Sequence, residues 1–257
     1  MMRILGIVGV QICICVPIIV FQFCKGKEFF SKEYWGYALR IGIPIVPHYL
    51  SGIILNQGDR IMIDKMVGKT EVALYGLAYS IGMNSALTPW MYSKIKKGDI
   101  RSMRKVLQLL SVVVVGIAVA LMLISPELVL IFGSPKYREA VYVIPPVAAS
   151  VFFIFIYNIL SMPQFYYEKT QFLMAASMAA AGANVVLNFI FIRLFGYIAA
   201  GYTTLACYML YSVGHYIVSK RILVNEGIQE NLMSPGFLVA CSVFLIGASI
   251  ICNLIFP

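Results

Sequence analysis

The stretch Asn56–Ile81, NQGDRIMIDKMVGKTEVALYGLAYSI, decides how the chain is read. It opens as the polar end of a long apolar helix: Asp59, Arg60, Asp64 and Lys65 follow a run with no charge after Arg40. A break at Gly68-Lys69-Thr70 follows, and a second apolar helix starts near Val72. Asn56, Arg60 and Asp64 stand at i, i+4 and i+8, so a helix puts them on one face. Asp59 falls instead among Leu55, Met62, Ile63 and Met66. A carboxylate on an apolar face needs a donor from a neighbouring helix or a proton of its own. Charges at this depth are expensive and mark candidate functional sites.

Composition sets the class. The chain has 257 residues, 61% hydrophobic and only 12% charged, with a mean hydropathy of +0.87. A soluble domain carries about 25% charged residues. The reading is an all-α, polytopic helical membrane protein. A net charge of +9 would suggest nucleic acid in a soluble chain, but here it reflects basic loops that set topology. No nucleic-acid partner is expected.

A bilayer-crossing helix needs about 20 apolar residues. Eight stretches qualify, near Ile4–Phe23, Ala38–Asn56, Val72–Tyr92, Val106–Ile124, Val141–Met162, Phe172–Leu194, Ile198–Val218 and Phe237–Phe256. The first has no small-residue cleavage site at Phe21-Gln22-Phe23-Cys24, so it reads as a membrane helix and not a signal peptide. Lys and Arg on alternate connections divide 13 to 7, the larger set including Lys94, Lys96, Lys97, Arg101, Arg104 and Lys105. That side is expected to be cytoplasmic, with both ends of the chain outward. The basic loop Lys94–Lys105 is read as a topology determinant, with anionic headgroups or a lipid-linked phosphate as the sharper alternative.

Several helices carry more than an anchor requires. Gly42, Pro44 and Pro47 are expected to kink or loosen the second span, and Pro17, Pro89, Pro145, Pro146 and Pro163 to interrupt others. Gly201, Thr204, Tyr208, Tyr211 and His215 share one helical face; so do Ser177, Ala181, Asn184 and Asn188, and Ser80, Asn84 and Thr88. Interhelical hydrogen bonding is one reading of such stripes, the wall of a hydrated cavity the other. His48 and His215 lie in apolar helices and could titrate near neutral pH. Ser125-Pro126-Glu127 reads as the capped start of a short helix through Phe132. The six cysteines sit in or beside apolar runs with no zinc spacing. Nucleophile-elbow, phosphate-loop, dinucleotide and zinc-protease motifs are absent, so neither an enzyme nor a cofactor is expected.

Three segments carry a resemblance. Leu55-Asn56-Gln57-x-Asp59-Arg60, the Val67-Gly68 break and the Tyr75–Ile81 helix start resemble the polysaccharide biosynthesis, or oligosaccharide flippase (Wzx-like), family. That family shares a superfamily with the multidrug and toxin extrusion (MATE) transporters. Ile131–Ala148 is similar to its outer loop, and Tyr166–Leu210 to its N-x-x-LN helix end and following turn, from which Ala199 and Gly201 depart slightly. The resemblance implies two six-helix lobes with cargo crossing between them by alternating access. It implies transport of undecaprenyl-pyrophosphate-linked oligosaccharide across the inner (cytoplasmic) membrane for O-antigen, capsule or exopolysaccharide assembly. Membrane lipids and other polysaccharide assembly proteins are the implied partners.

Measured against the family, residues 1–30 correspond to the last helix of a missing N-terminal lobe, 31–224 to the C-terminal lobe and 225–257 to an additional helix. The chain is therefore expected to be incomplete as a single transporter. A MATE-type cation antiporter and a non-transporting remnant are the alternatives. The resemblance makes Asp59 and Arg60 the substrate or coupling candidates; Asp64, Asn56, Arg40 and His215 join them on position. Ser80, Asn84, Thr88, Asn184, Asn188, Thr204, Tyr208 and Tyr211 are the cavity-lining candidates.

Overall fold

A computed structural model describes residues 2–26, 30–66, 84–132, 141–196 and 198–256, with the side chains of 2–8, 10–11, 56–66, 84–86, 128 and 131–132 outside the description. The described residues form nine helices: α1 Met2–Gly26, α2 Lys32–Met66, α3 Asn84–Lys96, α4 Ile100–Leu123, α5 Ser125–Phe132, α6 Ile144–Tyr166, α7 Thr170–Phe195, α8 Ala199–Asn225 and α9 Pro235–Ile255. No strand occurs among them. Five helices are long and apolar enough to cross a membrane, spanning Lys32–Leu55, Ile100–Leu123, Ile144–Tyr166, Thr170–Phe195 and Pro235–Ile255. This is a helical, membrane-embedded architecture.

Five is fewer than the eight stretches read from the sequence, and the reasons are physical. The expected third span begins at Val72, outside the described residues. The described apolar part of α1, Ile12–Gly26, is shorter than a span. α8 is long enough at 27 residues, but its stripe of Thr, Tyr, Ser and His lowers its mean hydropathy. The prolines do not end their helices either: α1 runs through Pro17, α2 through Pro44 and Pro47, α3 through Pro89 and α6 through Pro163. In a bundle, neighbouring groups can take up the hydrogen bonds that a proline frees.

The chain divides into two units, residues 1–43 and 44–257. In the first, Lys25 Nζ lies 5.9 Å from the centre of the Phe21 ring, and Trp35 N–H donates to Ser31 O at 2.9 Å as α2 begins. The described side chains of α1 from Ile12 onward are exposed, as a lipid-facing helix allows.

In the second unit α6 is the central element. Its most apolar window is 72% buried, against 28% or less in the other four spans, and it packs against α8, α4, α9, α3 and α7. The sequence explains its place: α6 is apolar all round and carries no charged residue. Phe152, Ile156, Ile159 and Leu160 are fully buried. Its polar side chains turn back onto their own helix, Ser150 Oγ to Val147 O, Asn158 Nδ2 to Ile154 O and Ser161 Oγ to Asn158 O, which spares the packed surface unpaired donors. Lipid tails are as apolar as these side chains, so close packing and hydrogen bonds hold such a bundle.

The basic loop is partly structural. Lys94 Nζ donates to Asp99 Oδ2 at 2.6 Å, and Asp99 caps α4 by accepting from Ser102 N–H. The lysine hydrogen bond is the main reason the Asp99 carboxyl is held below its ordinary range. The stability it lends is therefore present above that range and lost as pH falls through the lowered value. Arg101 pairs with Glu230, and Arg104 Nε donates to Asn231 O at 2.7 Å. The connection before α9 is thereby fastened over the start of α4. Lys96, Lys97 and Lys105 remain exposed. Ser125 departs from the expected cap: its hydroxyl donates back to Met122 O, at 2.7 Å.

Gly201 of α8 lies tight against the start of α6. A β-carbon there would lie 3.0 Å from Pro146 Cγ and 3.1 Å from the Val143 carbonyl oxygen. One contact is backbone and cannot swing aside. Gly201→Val should lower unfolding stability in detergent by about 1–3 kcal/mol through overpacking. Gly214→Ala on the same helix, where nothing lies within 4 Å, should be neutral or slightly stabilising in the same thermal melt.

Candidate functional site

The most developed polar site in the described residues lies where α2 meets α7 and α8. Pro44, His48, Ser51 and Leu55 of α2 fall on one helical face; all but the half-buried His48 are buried. His48 Nδ1 is 2.5 Å from Ser177 Oγ on α7 and 3.3 Å from the Tyr211 hydroxyl on α8. Ser177 Oγ is also 2.5 Å from the Tyr211 hydroxyl and donates to Leu173 O at 2.7 Å. Three helices thus share one hydrogen-bonded knot.

Aromatic rings extend it into the bundle. The Tyr211 ring packs edge-on against His215 at 4.5 Å and, tilted, against Tyr157 of α6 at 4.5 Å, and Tyr157 stacks on Tyr208 at 6.1 Å. His215 is fully buried, and its Nδ1 sits 2.7 Å from Gln164 Nε2, which also donates to Leu160 O at 3.3 Å. The only two histidines of the chain therefore belong to one connected cluster. His215 Nε2, Gln164 Oε1 and Ser219 Oγ are buried without a hydrogen-bond partner among the described residues.

A second link joins α7 to α8. Asn188 Nδ2 donates to Asn184 Oδ1 at 3.1 Å, and Thr203 Oγ1 donates to Asn188 Oδ1. Asn184 Nδ2 and Thr204 Oγ1 lack partners among the described residues. Asn184, Asn188, Thr204, Tyr208 and Tyr211 are all 3% exposed or less, so the stripes face into the bundle. Thr88 Oγ1 on α3 lies 3.6 Å from Met162 Sδ.

The remaining candidates fall elsewhere. Helix α2 passes through Asn56, Asp59, Arg60 and Asp64, but their side chains lie outside the described residues, as does that of Asn84; Ser80 lies outside entirely. Arg40 is exposed in the first unit. Gln164 and Thr203 take part although sequence reading singled out neither. Gln164 had a signal, as an amide in a helix without charges. Thr203 had none beyond its neighbour Thr204. On the outer side of α8, Tyr216, Ile217, Lys220, Arg221, Val224 and Asn225 line an open groove. No group of His, Cys, Asp and Glu suited to a metal ion occurs among the described residues.

No family model matches the chain, and neither does any solved structure. A protein named for the Lsg locus of Haemophilus influenzae is 27% identical over 172 residues, which is 59% of this chain and 41% of that protein. The chain thus matches about two fifths of the length of this curated relative.

Interhelical hydrogen bonds in membrane bundles average about 0.6 kcal/mol and reach about 1.7. The Asn188–Thr203 pair should fall in that range. Asn188→Ala and Thr203→Val, each alone and together, should give that coupling energy in a double-mutant cycle of detergent unfolding. Additive effects would show that the two side chains do not hold α7 to α8.

Proposed function

We propose that the chain is part of a transporter that flips undecaprenyl-pyrophosphate-linked oligosaccharide across the cytoplasmic membrane for cell-surface polysaccharide assembly. In this reading eight spans cross the membrane, and residues 31–224 form the second lobe of a two-lobe flippase. The observation that carries it is the polar knot binding α2 to α7 and α8. A bundle that only anchored something would gain little from buried histidine, tyrosine and amide groups. A transporter uses such groups where one part of the bundle must engage and release another.

Three further features support the reading. The Asp59-Arg60 pair lies on the same helix as His48, beyond a run without charge. The apolar outer faces suit lipid. The resemblance covers residues from about 31 to 222 and includes the Asp-Arg pair. Asp59 would then be the coupling carboxylate, with Arg60 as its partner or a phosphate contact.

Deleting the gene in its source cell should trap lipid-linked oligosaccharide on the cytoplasmic leaflet, seen as lipid-linked sugar inaccessible to an external glycosidase. Complementation with Asp59→Asn should restore outward movement only slowly, by about tenfold or more below the native chain, which corresponds to about 1.4 kcal/mol of barrier. An unchanged leaflet distribution after deletion would overturn the flippase reading. Full complementation at normal protein level would overturn the role of Asp59 alone.

A further inference from the structure

The hydrogen-bond inventory of the two histidines separates them. A serine hydroxyl has one proton to donate and two lone pairs to accept with. Ser177 gives its proton to Leu173 O, so its contacts with Tyr211 and His48 must be ones in which it accepts. The Tyr211 hydroxyl and His48 Nδ1–H are then the two donors. His48 in its neutral form is accordingly the Nδ1–H tautomer, and its basic lone pair sits on Nε2. That nitrogen makes no hydrogen bond among the described residues, and the ring is only half-buried.

His215 is the opposite case. Gln164 Nε2 donates both to Leu160 O and to His215 Nδ1. Turning the amide over would set its oxygen against the Leu160 carbonyl. The lone pair of His215 is therefore the one that accepts from Gln164, and its proton is on Nε2. Adding a second proton at Nδ1 would press N–H against N–H and break that bond.

We propose that His48 is a proton-binding site at the junction of α2, α7 and α8, with His215 held neutral beside it. The proton adds to the Nε2 lone pair of His48. No bond of the inner knot has to break, because Nδ1–H goes on donating to Ser177. Among the described residues, the surroundings supply no anion that could pair two charges. Facing His48 are Tyr49 on its own helix, Tyr211 and His215 on α8, Phe165 on α6, and Ser177 on α7. α6, α7 and α8 contain no carboxylate, and the only cations they contain are Arg193, Lys220 and Arg221. An imidazolium on His48 keeps its Nδ1–H bond to Ser177 and the exposed part of its ring, while a second, on buried His215, would meet the first with no anion between them. Proton binding stands apart from the cargo; that the proton drives transport rests on the flippase reading.

Two histidines in the whole chain make the test clean. The protein is labelled with 15N-histidine, placed in lipid nanodiscs, and its ring nitrogens are followed by NMR from about pH 8 to about pH 4. The signals are assigned with His48→Gln and His215→Gln. The site predicts Nδ1 protonated and Nε2 bare for His48 at the high end, and both protonated after a single transition. His215 should keep its neutral Nε2–H pattern throughout. Ser177→Ala should return neutral His48 to the Nε2–H tautomer and shift its midpoint by about half a pH unit or more. Neutral His48 found as the Nε2–H tautomer in the native chain would overturn the proposal. So would a titrating His215, or a His48 that never charges in this range. Should His48 titrate as described while the gene deletion leaves lipid-linked sugar unmoved, the proton site stands and the flippase reading falls.

Discussion

A polar group inside an apolar bundle cannot be satisfied by lipid, so it must turn back onto its own helix or find a partner on another. That constraint organises the second unit. α2 contributes mostly apolar side chains between Pro44 and Leu55, and in this stretch His48 attaches it to α7 and α8. Ser177 can receive His48 because α7 presents it on the face that also carries Ala181, Asn184 and Asn188. Tyr211 completes the knot because α8 repeats its polar residues at helical spacing. Removing any one of the three costs each of the other two a hydrogen bond.

The knot in turn depends on the packing behind it. α6 fills the middle of the unit with aromatic and branched side chains and sends Tyr157 and Gln164 toward α8. At the start of α6, α8 packs where position 201 has no β-carbon. Asn253 of α9 ties the other end, donating to Tyr142 O at 3.0 Å and to the Tyr202 hydroxyl at 2.5 Å. At the opposite end Arg101 and Arg104 fasten the connection that precedes α9. α8, which holds Tyr211, is tied to α9 near its start, at Tyr202.

Much of this was legible in the amino-acid order. Composition and helix-length apolar runs indicate a helical membrane protein, and a spacing of three and four residues places Thr204, Tyr208, Tyr211 and His215 on one buried face. Less legible was which residue meets which. His48 and His215 each read as a lone histidine, because periodicity describes one helix at a time and says nothing of its neighbours. Thr203 was missed because its bond to Asn188 depends on how α7 and α8 cross. α8 looked like an ordinary span, yet the stripe that makes it useful also makes it too polar to be recognised by hydropathy. The charged end of α2, Asn56 to Asp64, stands out by depth, charge and resemblance; its side chains lie outside the described residues.

The central claim is that His48 holds α2 against α7 and α8. Pulsed electron spin resonance tests it most directly, with labels at the exposed positions Ile53 on α2 and Val185 on α7 in a protein whose native cysteines are replaced. With His48 present, the distance distribution should be narrow. With His48→Phe it should broaden or move to longer distance, because the ring remains but both of its hydrogen bonds are lost. The same narrow distribution in both proteins would mean that apolar packing alone seats α2, and that the knot at its centre is not what holds it.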